Sequence, residues 1–303
     1  MISIIKKKLS LKISILLAFV MVLLIIPVAF WIISTQTAAL EELTLEKAKL
    51  AANNGAETYS MILENSIENG ILTVNDVFDV DYKEIKGYNW GDNPKLHTKY
   101  DFYTDKTAIV FLDSMLSNPD FIYAIGQDIN GYVPTHNTIY QKQITDDPGK
   151  DIKGNRTKRI FKDSVGKQAS LNEKLGFQQI YSRDTGNILW DVSSPVYVKG
   201  KHWGCFRIGV SMERIVSRKN SMLLMLLGLL VAFALLITVT IFILVKKSVK
   251  PIEELTQVAK DISLGKKLEE KIKSQSEDEI GSLTKAIDRL RLSLKAAMER
   301  LGE

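Results

Sequence analysis

The chain has 303 residues, 46% of them apolar and 25% charged, with 40 Lys and Arg against 35 Asp and Glu for a formal net charge of +5. That length would fill two soluble domains, but two uncharged apolar runs divide the chain first and exclude a purely soluble protein. The basic excess is mostly a matter of membrane topology, and it gives no footing for a nucleic-acid partner.

Residues 1–12 form a basic tail containing Lys6, Lys7, Lys8 and Lys12. Residues 13–33 (ISILLAFVMVLLIIPVAFWII) carry no charge, and at about 1.5 Å per residue they cross a hydrocarbon core of about 30 Å. A cleaved secretory signal is the alternative, but its apolar stretch runs to only about 7 to 15 residues. A retained anchor, kinked at Pro27, is therefore expected. Residues 221–245 hold the second run, charge-free from Met222 to Val245 and followed by Lys246, Lys247 and Lys250. The positive-inside rule puts both termini in the cytoplasm and residues 34–220 outside. Arg214, Arg218 and Lys219 lie on the outer side, but a long translocated domain obeys the charge rule weakly.

In the outer region Leu40, Leu43, Leu50 and Ala51 share one helical stripe, with Lys47 lying along it. Asn53, Asn54 and Gly55 mark a place for that helix to break. Residues 82–99 are polar and turn-rich, a loop. AIVFLDSML reads as a helix and FIYAIGQ as a strand. DINGY turns FIYAIGQ into YVPTHN, DTGN joins FQQIYS to ILWDVSSPVYV, and KGK leads into HWGCFRIGVSM. The class is α+β: a long N-terminal helix and about five antiparallel strands, interrupted after the second by a crossover, a half-barrel of the PAS kind. Cys205 is the only cysteine, so no internal disulfide holds this domain. A buried, inert thiol is expected in preference to an intermolecular bridge.

Strand alternation in HWGCFRIGV places Arg207 with Trp203 and Cys205, and His202 with Phe206, Ile208 and Val210. A guanidinium on a half-buried strand needs an anionic partner. That partner is either a ligand carboxylate, bound bidentately, or an internal acid such as Asp191. Helical spacing in the crossover would put Arg156 and Arg159 on one side, as a ligand contact or a solvated basic face. Tyr123, His136, Tyr181, Asp191 and Ser193 complete the polar residues able to line a cavity. Together they suggest a small anionic or zwitterionic ligand, a carboxylate or an amino acid.

After the second run, Pro251 opens a helix with Ile252, Leu255, Ala259 and Ile262 on a heptad seam, ended by Gly265. A second seam runs through Ile280, Leu283, Ile287, Leu290, Leu294, Ala297 and Leu301. Its start, SEDEIGSL, carries a capping box from Ser276 to Glu279, with acids at the positive end of the helix dipole.

Residues 246–303, from Pro251 through Gly265, Leu268 and Ile272 to DEIGSL, resemble a HAMP domain, the linker of bacterial transmembrane receptors. The resemblance implies a homodimer whose paired chains form a parallel four-helix bundle. It also implies that Pro251 couples the span to the bundle, that Leu268 and Ile272 pin the connector, and that Glu279 anchors the second helix. The outer region, through GYVPTHN, NRTKRIF and YSRDTGNILWDVSSPVYVKGKHWGCFRIGVSMERI, resembles the single-Cache sensors of methyl-accepting chemotaxis proteins. That likeness implies a chemotaxis-type receptor of the bacterial inner membrane, with its sensor domain outside.

No cofactor is expected. The CxxCH attachment of haem-carrying relatives is missing, although non-covalent haem on His136 or His202 stays open. His97, His136 and His202 are too dispersed for a metal site. No P-loop, nucleotide-binding or nucleophile motif points to an enzyme. The chain stops where an effector would continue, so the output is expected through a longer receptor or a separate cytoplasmic partner, unless the gene is a remnant. A membrane-anchored solute-binding protein without signalling is the rival reading.

Overall fold

The computed structural model describes residues 9–182, 186, 188–273 and 277–301. Two compact units emerge, one over residues 34–223 and the other from residues 1–33 together with 224–303.

The first unit takes in most of helix α1 (Leu9–Glu68), followed by α2 (Val74–Val77), β1 (Lys83–Glu84), β2 (Leu96–His97), α3 (Asp101–Thr107) and α4 (Ile109–Met115). Then come β3 (Phe121–Asp128), β4 (Tyr132–Val133), α5 (Pro148–Gly154), β5 (Arg159–Ile160), α6 (Ser164–Leu171), β6 (Phe177–Ser182), β7 (Ile188–Val198) and β8 (Lys201–Ser211). The main sheet is antiparallel in the order β3-β8-β7-β6.

Helix α1 runs through Asn53 to Gly55 without the expected break. Gly55 marks a close approach, since a Cβ there would sit 2.2 Å from the Phe206 ring. The buried stripe is correspondingly small: Thr44, Ala48, Ala52 and Ala56, then Tyr59 and Leu63. Leu43 and Leu50, which share one helical stripe, are 53% and 61% exposed. Small side chains let the helix lie tightly on the sheet, and the leucines do not fit beneath it.

Four of the five expected strands form the sheet. After β3, Asp128 Oδ1 accepts the N–H groups of Asn130 and Tyr132, both at 2.9 Å. This Asx-type turn diverts Tyr132–Val133 to pair with β5, and β8 takes the place beside β3. The turn between β7 and β8 has φ of 48° at Lys199 and 76° at Gly200, the two left-handed residues a type I′ hairpin requires. Of the expected DTGN turn, Asp184, Thr185 and Asn187 lie outside the described residues.

A register shift pairs Val196 with Gly204 but Tyr197 with His202, leaving Trp203 as the extra residue of a bulge. The bulge breaks the expected alternation. Trp203 joins Phe206, Ile208 and Val210 in the core beneath α1, 5.4 Å from the Tyr59 ring, and parts from Arg207. Cys205 is fully buried, and burial raises its thiol pKa well above the usual range.

Helix α7 (Met212–Ser263), which leaves the first unit at Leu223, contains the apolar run and continues through Pro251, which was expected to open a new helix. Proline there forgoes one backbone bond, and the regular turns on both sides hold the helix together. The helix ends with Gly265 at φ 73° and with Lys266 N–H bonded to the Asp261 carbonyl at 2.9 Å. Helix α8 (Glu279–Leu301) is capped by Asp278, whose Oδ1 accepts the N–H groups of Ile280 and Gly281 at 2.9 and 3.1 Å. Ser276, the expected cap, lies outside the described residues.

Candidate functional site

The sheet face away from α1 carries Tyr123 on β3, Arg207 on β8, Asp191 and Ser193 on β7 and Tyr181 on β6. The register sets Tyr123 opposite Gly209, where a Cβ would lie 2.2 Å from the tyrosine ring. This glycine lets Tyr123 reach across β8 and donate to Asp191 Oδ1 at 2.5 Å. Arg207 donates to the same oxygen through Nε at 2.9 Å and to Gln127 Oε1 through Nη1 at 2.6 Å. Gln127 in turn donates to the Gly166 carbonyl of α6 at 2.8 Å. Of the two partners open to Arg207, the internal acid is the one in contact. Burial works against the guanidinium charge, but Asp191, Tyr123 and Cys205 outweigh it and push the Arg207 pKa up. Asp191 Oδ2 and Ser193 Oγ are buried without a hydrogen-bond partner among the described residues.

A second layer covers this face. His136 Nδ1 accepts the backbone N–H of Asn137 at 2.8 Å, which leaves the proton on Nε2. Its ring stands 4.7 Å from Tyr140 and 6.2 Å from Tyr123. Arg156 and Arg159 are not on a helix: Lys158 between them has φ 56°, and Arg159 begins β5. That kink still brings both guanidinium groups to the Phe161 ring, at 5.1 and 4.6 Å.

Tyr123, His136, Arg156, Tyr181 and Arg207, with Ile125 and Phe161, line an inner cavity of about 10 Å³, enough for a single water. Arg159 and Tyr181 line an outer cleft of about 390 Å³ with Asp92, Leu96, Lys162 and Asp163. Asp191 and Ser193 line neither space and lie beneath them in the sheet. Sequence reasoning missed Gln127, which looks like any strand glutamine, and Lys95, placed in a polar loop yet 5% exposed. Lys95 Nζ donates to the Asn155 carbonyl at 2.6 Å, Asn155 Oδ1 at 2.9 Å and the Thr157 carbonyl at 2.7 Å.

In the second unit the connector is held by polar groups of α8. Asp288 Oδ1 accepts the Ile272 N–H at 3.1 Å and Arg291 Nε at 2.8 Å, while Arg291 Nη1 donates to the Leu268 carbonyl. Leu268 and Ile272 are half-buried, and Glu279 is exposed at the first turn of α8. Leu283 and Leu290 of the expected seam are 43% and 67% exposed within one chain.

The HAMP domain family matches residues 243–296. No curated protein matches the chain. Among solved structures it is similar to the sensor domain of E. coli DcuS, at 16% identity and TM-score 0.26, over 37% of this chain and 72% of that one. It is also similar to the sensory domain of the Campylobacter jejuni chemoreceptor Tlp3 with isoleucine bound, at 14% identity and TM-score 0.28, over 59% of this chain. The Tlp3 ligand-binding domain in complex with L-valine gives 14% and 0.29. The match spans 64% of each Tlp3 chain, less than two thirds. Two membrane spans, an α+β domain between them and a HAMP domain are the build of a transmembrane sensor of the inner membrane.

Proposed function

We propose that residues 34–220 form a single-Cache sensor that takes a small anionic or zwitterionic ligand outside the membrane, a carboxylate or an amino acid. The observation that carries this reading is the convergence of Arg156, Arg207, His136, Tyr123 and Tyr181 on one cavity. Guanidinium groups supply paired donors for a carboxylate, and His136 serves here as a hydrogen-bond donor rather than an axial haem ligand.

At about 10 Å³ the inner cavity is too small for a carboxylate or an amino acid, so a ligand is accommodated only as the second layer lifts from the sheet. Strand β8 carries Arg207 and passes into α7 without an intervening residue. Movement at Arg207 therefore reaches the second span and the HAMP region, residues 246–303, through one covalent path. A homodimer of that region converts it, through Pro251, Gly265, Leu268, Ile272 and Glu279, into a repacked bundle read by a cytoplasmic output of the chemotaxis type. A tenfold shift in such an equilibrium needs about 1.4 kcal/mol of differential affinity, which a few contacts provide.

The test is a thermal-shift screen of the full chain in detergent against small carboxylates and amino acids, since a ligand that binds only the native state raises the midpoint. A shift abolished by Arg156→Met in a protein that still folds supports the reading. Shifts that survive that substitution would move the ligand elsewhere.

A further inference from the structure

Within the outer domain, helix α1 carries two opposite faces. Thr44, Ala48, Ala52, Ala56 and Tyr59 are buried, on the side that packs on the sheet. On the other side Leu40, Leu43, Leu50 and Met61 lie on a row that steps alternately by three and four residues, completed by Lys47, Asn54 and Glu57. Leu40 is half-buried, whereas Leu43, Leu50 and Met61 are each more than half exposed, and the three polar residues between them are exposed as well. Such a row, roughly 30 Å long at 1.5 Å per residue, has the spacing of a coiled-coil seam. Lys47 on this row has no ion-pair partner among the described residues. Glu46 beside it is held by Lys49 at 2.8 Å, an exposed pair one turn away that contributes little and leaves the carboxylate able to turn.

We propose that the outer domain pairs with a second copy of this chain along this row, parallel and in register, with Lys47 of each chain meeting the partner's Glu46. Helix α1 is continuous from Leu9 to Glu68 and contains the first membrane span. Two copies inserted in one membrane with the same topology therefore send α1 outward in the same direction, with each residue at the height of its counterpart. In that register Lys47 occupies an a position and enters the hole between the partner's Leu43, the partner's Glu46, the partner's Lys47 and the partner's Leu50. The twofold symmetry makes the ion pair twice, which offsets the repulsion between the two lysines, and an antiparallel pairing would lose it. Asn54 takes the next a position, where a polar residue lowers stability but fixes the register and favours two strands. Glu57 then faces its own counterpart, and like charges there weaken the end of the seam. The pairing is thus tightest from Leu40 to Leu50. It is independent of the ligand reading above, and it involves a different part of the chain from the HAMP bundle.

Cysteine cross-linking of the full chain in native membranes tests this, with the native Cys205 buried. Leu43→Cys and Leu50→Cys are expected to join two chains on the order of tenfold faster than Glu42→Cys, which is exposed on α1 but faces away from the row, beyond the reach of a disulfide. A charge exchange then separates a built interface from contact enforced by the HAMP region alone. Two differently tagged chains, both carrying Leu50→Cys, are co-expressed, one with Glu46→Lys and the other with Lys47→Glu. Each repels its own copy and attracts the other, so mixed cross-linked dimers are expected above the share that random pairing gives. High salt should bring that share back towards random. Equal rates at the three cysteines overturn the proposal, and so does a random share of mixed dimers at low salt. An adduct with another protein in place of the second copy overturns it too. Glu57→Leu is an independent check that leaves the ion pair intact: removing the repulsion and extending the apolar row should speed cross-linking through Leu50→Cys, and slower cross-linking would contradict the pairing.

Discussion

Arg207 Nε lies 2.9 Å from Asp191 Oδ1, with both side chains almost wholly closed off from solvent. Taking two charges out of water costs several kcal/mol each, and Tyr123 and Gln127 add hydrogen bonds that offset part of that cost, while Asp191 Oδ2 stays without a partner among the described residues. Removing one partner strands the other. Asp191→Ala is expected to destabilise the domain by about 3–5 kcal/mol, read by denaturant unfolding of the full chain. The double change Asp191→Leu with Arg207→Met should recover much of that loss. A single-variant loss below about 1 kcal/mol would put the pair with exposed ion pairs and contradict the burial argument.

Gly55 gives a prediction with opposite signs from two levels of reasoning. Helix propensity alone says Gly55→Ala should stabilise by about 1 kcal/mol. The added methyl, however, meets the Phe206 ring at 2.2 Å, and overpacking of this kind costs about 1–3 kcal/mol. A thermal melt of the full chain distinguishes them: a lowered midpoint supports tight helix-on-sheet packing, and a raised one refutes it.

The legible parts of the chain were those governed by local pattern. The charge-free runs and the strand order after the crossover follow from periodicity and turn chemistry, and the HAMP region was legible from its resemblance to that family. Alternation also puts Tyr123, Asp191, Ser193 and Arg207 on one face once the strands pair, although of these four only Tyr123 and Arg207 line the inner cavity. What stayed hidden depends on contacts distant in sequence. The bulge at Trp203 changes parity with no local signal, and the small-residue stripe of α1 is set by the sheet it meets. Pro251 reads as a helix start, yet α7 continues through it. Lys95 is buried only because Asn155 and Thr157, some sixty residues on, fold over it.

The connector makes a third prediction. Arg291 is 4% exposed and joins Asp288 to the Leu268 carbonyl, so α8 grips the connector backbone at two points. Losing these charge-assisted bonds costs about 1–3 kcal/mol of local stability. Arg291→Ala is therefore expected to speed tryptic cleavage at Lys271 and Lys273 on the order of tenfold, with the transmembrane region unaffected. Cleavage unchanged from wild type would mean the connector is held by the Leu268 and Ile272 side chains instead.

The seam of α8 supplies the last. Leu283 and Leu290 step by seven on a helix whose covered positions within one chain are Gly281, Thr284 and Arg291. A leucine stripe left open at heptad spacing is the pattern of a coiled-coil face awaiting its partner, and the proposed homodimer would cover it with the same stripe of a second chain. Cys205, the sole native cysteine, is buried, so a cysteine introduced on α8 reports its own cross-links. In native membranes, oxidation should join two chains through Leu283→Cys and Leu290→Cys, because facing seam positions approach within the roughly 4.4–6.8 Å between Cα atoms that a disulfide spans. Arg289→Cys, exposed but off the seam, should cross-link far more slowly. Equal rates at all three positions would mean random collision and would remove the basis for a paired bundle.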